Sequence, residues 1–282
     1  MEIKNVSVIG GGTMGNGIAH IFAMKGFSVN LVEMTEQLYS NAFMTITQNL
    51  DRQVKKASIT ETDKESILKR INKIISIDNI PTDSDLIIEA IYENKEAKQS
   101  IFSKLDKIIK PDSIFASNTS SISITELAAN CRADRFIGMH FMNPVPVMKL
   151  VEIIRGYNTS NSTYNTIKEL SHKLEKVPVE VYDYPGFISN RILIPMINEA
   201  IFALMEGVAS KEDIDTVMKL GMNHPMGPLS LADFIGLDIC LAIMEVLYNG
   251  YNDSKYRPCP LLKKMVAANQ LGRKTGEGFY KY

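Results

Sequence analysis

The feature that most constrains this chain lies between Asn5 and Glu33. The apolar run Asn5-Val6-Ser7-Val8-Ile9 ends in Gly10-Gly11-Gly12-Thr13-Met14-Gly15, and Ile18, Ile21, Phe22 and Met24 follow at helical intervals until Gly26. Phe27 to Val32 then reads as a second buried strand that closes on Glu33. Strand, glycine turn, helix, strand and acid make a βαβ unit of about 30 residues. Gly10, Gly12 and Gly15 fill the three positions of a G-x-G-x-x-G turn. The first permits the tight turn, the second lets a pyrophosphate approach the backbone, and the third lets helix pack on strand. With Thr13 and Met14 opening the helix, unpaired N–H groups and a partial positive charge would face the phosphates. Glu33 is placed to accept hydrogen bonds from a ribose diol and to repel a 2′-phosphate, which favours NAD over NADP. FAD is a second ligand of the same turn.

Beyond this unit, Gln37 to Ile75 reads as helical and heavily charged, with a break at Ser58-Ile59-Thr60, and predicts a helical hairpin projecting from the sheet. Strands are predicted at 85–90, 114–117, 135–141, 147–154 and 177–182, with helices at 95–109, 124–130 and 162–174 between them. That alternation predicts an α/β domain, a Rossmann-type doubly wound and mostly parallel sheet. After Tyr184-Pro185-Gly186 only helical periodicity continues, at 188–205, 211–219, 229–249 and 261–268. The expected organisation is therefore 1–183 as an NAD-binding domain and 184–282 as an all-α C-terminal domain.

Composition narrows the class of partner. Lys and Arg total 31 against 32 Asp and Glu, a formal charge of −1, which argues against nucleic acid because a duplex binder needs a basic field. No stretch approaches the ~18–20 apolar residues of a membrane span. The start, Met1-Glu2-Ile3-Lys4, runs straight into a strand with no signal-peptide core, so a cytoplasmic protein is expected. Cys131, Cys240 and Cys259 lack C-x-x-C spacing, so no metal site or disulfide framework is expected.

Among four histidines, His140 stands apart. It follows Phe136-Ile137-Gly138-Met139, at the strand end where parallel sheets bind ligands. The chain then reverses through Asn143-Pro144-Val145-Pro146 and returns as Met148-Lys149-Leu150-Val151-Glu152-Ile153-Ile154. If the two strands pair antiparallel about Pro146, His140 and Glu152 face each other. Glu152 interrupts an apolar strand, and a carboxylate there needs a partner. Such a pair would fix the imidazole tautomer and prepare the other nitrogen as a general base; a buried ion pair that merely closes the sheet fits the same spacing. Beside a nicotinamide site, a general base implies alcohol–carbonyl interconversion. Ser117-Asn118-Thr119-Ser120-Ser121 follows another strand end on that side and could hold a substrate oxygen or cap the next helix. Asn190, after Pro185-Gly186-Phe187, is polar amid apolar helix positions.

With these motifs in place, the chain resembles the short-chain 3-hydroxyacyl-CoA dehydrogenases, most closely the bacterial 3-hydroxybutyryl-CoA enzymes. The matching stretches run from Val8 to Gly15, 117–121, 138–144, 185–191, 223–228 and 272–280. The resemblance implies a CoA-thioester dehydrogenase of fatty-acid or butyrate metabolism with NAD as cofactor. It implies a homodimer joined through the C-terminal helices, or a higher homo-oligomer. It assigns His140 as base, Glu152 as its partner, and Ser120 and Asn190 to the reacting oxygen and the thioester. It places Glu33 on the adenine ribose, Ala90, Glu93, Lys98, Ser120 and Asn143 along the cofactor, and Lys274 as a C-terminal contact. The hairpin would meet coenzyme A through Lys56 and Asn49. Gly11 stands where alanine is common, and Met142 where an aromatic is. Two other readings keep the fold: a dehydrogenase of a CoA-free hydroxy acid, and a nucleotide-binding protein without turnover.

Overall fold

The computed structural model describes residues 2–282. β1 (Asn5–Ile9) leads through the glycine turn into α1 (Thr13–Met24), and β2 (Ser28–Glu33) returns parallel to β1, with Asn5 opposite Ser28 and Ile9 opposite Val32. α1 buries Ile18, Ile21 and Phe22, a face at helical spacing, against Val6, Val8 and Leu31 of the sheet.

The hairpin forms as α2 (Glu36–Lys55) and α3 (Glu61–Lys69), with Thr60 and Asp63 closing a capping box at the start of α3. Two expectations need correcting here. The hairpin does not project: Ala42, Ile46 and Leu50, spaced four apart, are buried in the sheet's own core beside α1. The helix also does not continue to Ile75, because Ile71–Ile75 is a strand, β3, paired parallel to β2 from Val29–Ile71 to Glu33–Ile75. Five residues are too few for period 2 and period 3.6 to be told apart, so the open edge of β2 decides.

The remaining elements of this unit are β4 (Leu86–Glu89), α4 (Lys95–Leu105), β5 (Ile114–Ser117), α5 (Ile124–Leu127), β6 (Phe136–Phe141), β7 (Leu150–Arg155), α6 (Asn161–Lys173) and β8 (Val177–Tyr182). The sheet runs β3-β2-β1-β4-β5-β6-β7-β8. Every neighbouring pair is parallel except β6 with β7. Strand order reverses between β1 and β4, and at such a switch point the loops leave in opposite directions and open a crevice at the carboxyl ends.

The chain divides into two compact units, the sheet unit ending at Asp183 and a second covering Tyr184–Tyr282. The second is helical: α7 (Ser189–Met205), α8 (Lys211–Thr216) widening into a π turn at Val217–Gly221, α9 (Pro228–Ile235), α10 (Leu237–Tyr251) and α11 (Pro260–Ala267). Ile194, Ile197, Ile201, Leu229, Met244 and Leu262 form its core. The single helix expected over 229–249 is broken at Gly236, whose φ of 106° lies where an L side chain is strained. Among the described residues, no helix is long and apolar enough to cross a membrane.

Candidate active site

The glycine turn meets the steric demands of a dinucleotide. Gly10 has φ +89°, and a Cβ there would lie 2.9 Å from the carbonyl oxygen of Ala90. A Cβ on Gly15 would lie 1.7 Å from the carbonyl oxygen of Gly10, so helix and strand touch only because the side chain is missing. Gly12 is different: a Cβ there would meet nothing within 4 Å. Its bareness serves no packing within the protein, which leaves the approach of a ligand as its use. Gly12 is also the N-cap of α1 and offers no side-chain cap, so the first N–H groups are open to an anion.

A cleft of about 530 Å³ borders this turn, lined by Gly10, Gly12, Glu33, Met34, Ala90 and Ile91. Glu33 ends β2, and its Oε1 accepts a 2.5 Å hydrogen bond from the Gly11 N–H. A Cβ on Gly11 would sit 2.5 Å from that of Ala42 and 3.2 Å from Glu33 Oε1, so glycine here lets α2 close onto the turn. Open Gly12, the bare helix start and a carboxylate at the end of β2 fit NAD. A second groove, about 440 Å³, runs along α2 past Thr13, Asn41, Thr45, Asn49 and Asn143.

His140 and Glu152 meet across β6 and β7. The register pairs Gly138 with Ile154, His140 with Glu152 and Phe141 with Val151, a pairing centred on Pro146. His140 Nδ1 lies 2.7 Å from Glu152 Oε2; Glu152 is 2% exposed and His140 9%. With Nδ1 held by the carboxylate, any proton transfer by this imidazole would fall to Nε2. The reversal between the strands, through a cis Asn143–Pro144 bond, is braced from behind by buried Lys176, whose Nζ donates to the carbonyls of Val145 and Met148. The Phe141 N–H donates to Asn118 Oδ1, which ties the end of β6 to the loop after β5.

That loop carries Ser120, and Glu93 holds it. Glu93 Oε1 accepts from Thr119 Oγ1 at 2.5 Å, from Ser120 N–H at 3.0 Å and Oγ at 3.3 Å, and from Ser121 N–H and Oγ at 3.2 Å each. Glu93 Oε2 lies 3.2 Å from Lys98 Nζ, which also donates to Glu89 Oε1 at 2.6 Å. Burial alone would push the Glu93 carboxyl up; Lys98 and the loop donors outweigh it and hold the group below the usual carboxylate range. The far end of the loop is fixed by Asp183, which accepts from Ser123 Oγ and from the N–H groups of Ile124 and Thr125.

Residues 5–184 match the family described as 3-hydroxyacyl-CoA dehydrogenase, NAD binding domain, and 186–282 match 3-hydroxyacyl-CoA dehydrogenase, C-terminal domain. The chain belongs to the 3-hydroxyacyl-CoA dehydrogenase family. It is 54% identical over 283 residues to the probable 3-hydroxybutyryl-CoA dehydrogenase of Bacillus subtilis, covering 100% of this chain and 98% of the relative. It is 55% identical over 281 residues to the 3-hydroxybutyryl-CoA dehydrogenase of Bradyrhizobium diazoefficiens, covering 99% and 96%. The crystal structure of (S)-3-hydroxybutyryl-CoA dehydrogenase from Ralstonia eutropha superposes with a TM-score of 0.97 at 53% identity, over 100% of this chain and 99% of that one.

In this 3-hydroxyacyl-CoA dehydrogenase family member, the sheet unit thus brings together Gly10, Gly12, Thr13, Glu33, Ala90, Glu93, Lys98, Ser120, Asn143 and His140 at the end of the sheet where its parallel strands finish, with Glu152 joining them from near the amino end of the antiparallel β7. Met14, beside Thr13 at the start of α1, packs its side chain on the core and leaves only its backbone toward the turn. Lys98 is 1% exposed and meets the cleft side through Glu93 and the carbonyl of Ile91. Asn49 lines the groove along α2, whereas Lys56 is exposed at the C-terminal end of that helix. In the helical unit, Asn190 is the second residue of α7, half-buried, with Ile188 in the N-cap position. Lys274 is paired with Asp238. Sequence reasoning missed Glu89, Lys176 and Asp183. Only Glu89 carried a signal, as a carboxylate closing the apolar run Leu86-Ile87-Ile88 in the way Glu152 interrupts its strand.

Proposed function

We propose that this protein interconverts (S)-3-hydroxybutyryl-CoA and acetoacetyl-CoA with NAD as the redox cofactor. The observation that carries the chemistry is the 2.7 Å contact between His140 and buried Glu152, at the same end of the sheet as the glycine turn. His140 Nε2 takes the proton of the substrate's 3-hydroxyl in oxidation and returns it to the ketone oxygen in reduction. Glu152 holds the ring in the tautomer with its proton on Nδ1, and its charge stabilises the imidazolium that forms. Bound NAD supplies the hydride acceptor and NADH the donor. Ser120 and Asn190 hold the reacting oxygen and the thioester carbonyl, with Glu93 orienting the Ser120 loop. Glu33 receives the adenine ribose, along with Gly10, Gly12, Thr13 and Gly15 at the pyrophosphate. Ala90, Asn143 and Lys274 complete the cofactor contacts. Asn49 and Lys56 on the hairpin take coenzyme A, a cation there suiting its phosphates.

The assembly we infer is a homodimer through the C-terminal helices, working in the cytoplasm. Supporting it, the helical unit leaves large apolar side chains uncovered, among them Ile192 at 66%, Leu220 at 81% and Phe234 at 59% exposure. The test is oxidation of NADH against NADPH with acetoacetyl-CoA, repeated with Lys56→Ala. We expect NADH to be strongly preferred and Lys56→Ala to raise KM for the thioester. No turnover with acetoacetyl-CoA refutes the reading; turnover of a CoA-free keto acid instead, indifferent to Lys56, replaces the substrate class.

A further inference from the structure

Glu89 is the last residue of β4, on the switch-point strand, between Ile9 of β1 and Ser117 of β5 in the register. Its side chain is 0% exposed and that of Lys98 1%, an ion pair drawn wholly out of water. Burying two charges is costly, and apolar residues of similar volume commonly serve stability as well or better. Stability is therefore a weak account of why the pair sits here, and its contacts suggest another.

Every hydrogen bond of Glu89 leads toward the site. Oε1 accepts from Lys98 Nζ at 2.6 Å and from the Ile91 N–H at 2.7 Å; Oε2 accepts from Ser117 Oγ at 2.6 Å. Ile91 lines the cofactor cleft. Ser117 ends β5, and its Oγ accepts in turn from the Thr119 N–H at 3.2 Å. Lys98 carries the remaining arm to Glu93, whose Oε1 gathers the donors of residues 119–121. The Ser120 loop is thus gripped from two sides, by Glu93 and by Ser117, and both grips run back to one carboxylate. We propose that Glu89 is a positioning residue for the reaction, setting the Ser120 loop through Lys98–Glu93 and through Ser117. This rests on the dehydrogenase reading above and adds to it a residue that touches neither substrate nor cofactor.

The test replaces the pair by apolar isosteres, Glu89→Met with Lys98→Met, beside the single variant Glu89→Gln. Each is measured for melting temperature, kcat and KM for NADH with acetoacetyl-CoA, alone and combined with Glu93→Gln. A displacement of about 1 Å remote from the chemistry can lower turnover by up to ~10²-fold. We expect the double variant to fold with a lowered melting temperature, because the Ile91 N–H and the Ser117 hydroxyl lose their acceptor, while kcat falls at least about tenfold and KM for NADH is little changed. In the Glu93→Gln background the further loss should be much smaller, because the main arm is already cut. Equal losses with and without Glu93→Gln overturn the proposed route. Wild-type kcat in folded double variant overturns the inference, and if that protein does not fold, wild-type kcat in Glu89→Gln does so. Wild-type protein inactive toward acetoacetyl-CoA overturns the functional reading itself, which the variants alone cannot do.

Discussion

Replacing Glu152 by glutamine removes one charge from the site while keeping the side chain's size. Glu152 Oε2 lies 2.7 Å from His140 Nδ1, so the charge centres of carboxylate and ring are on the order of 4–5 Å apart. Two unit charges at that separation attract by about 4 kcal/mol at an effective dielectric of 20. In hydroxyacyl oxidation the imidazolium is only partly formed at the transition state. If the proton is about half transferred, about 2 kcal/mol of the attraction is felt in the barrier, or roughly a 30-fold change in kcat. That figure holds with the amide oxygen facing Nδ1. With the amide NH₂ facing it, the ring is held in the wrong tautomer and the loss approaches ~10⁴. The assay is NADH formation from 3-hydroxybutyryl-CoA at saturating substrate, with a melting curve to show an intact fold. A folded Glu152→Gln protein retaining more than about a third of wild-type kcat refutes the reasoning, because the carboxylate would then contribute no charge to the barrier.

Removing the base itself, by His140→Ala, should lower kcat by about 10²–10⁴ while NADH binding, followed by fluorescence titration, stays near wild type. The glycines separate ligand from packing. Gly12→Ala adds a methyl group that meets no protein atom, so melting temperature should hold while NADH affinity drops. Gly15→Ala drives a methyl group into the Gly10 carbonyl and should lower the melting temperature with or without cofactor. His20, buried on α1, has its pKa pushed down from 6.5 to about 4 by that burial. Below pH 6.5 the unfolded chain takes a proton there that the folded chain resists, so stability is lost as pH falls from 6.5 to about 4. At about 1.4 kcal/mol per pH unit the loss is about 3 kcal/mol, and His20→Leu should flatten that part of a denaturation-versus-pH curve.

Much of the site was legible because its signals are local or set by simple registry. The glycine turn is a steric pattern within one βαβ unit, and Glu33 follows at a fixed distance from it. The His140–Glu152 contact follows from a turn centred on Pro146, because cross-strand partners lie at equal distances from the turn. Asn190 and Lys274 illustrate the opposite case: both lie on the helical unit, and spacing along the chain carries no information about where such residues come to rest.

By itself the sequence determined the alternation of strand and helix, the glycine turn and the change of character after Asp183. Each is written in hydrophobic period or in backbone sterics over a few consecutive residues. Tertiary structure decided what depends on neighbours distant in the chain. Ile71–Ile75 became a strand because β2 offered an unpaired edge. The hairpin lay down on the sheet because Ala42, Ile46 and Leu50 found α1 beneath them. The Glu89–Lys98–Glu93 chain is local to β4 and α4, but its grip on the Ser120 loop exists only because the parallel sheet sets the end of β4 beside the end of β5. A buried charge has no local signature beyond its need for a partner, and only the fold supplies one.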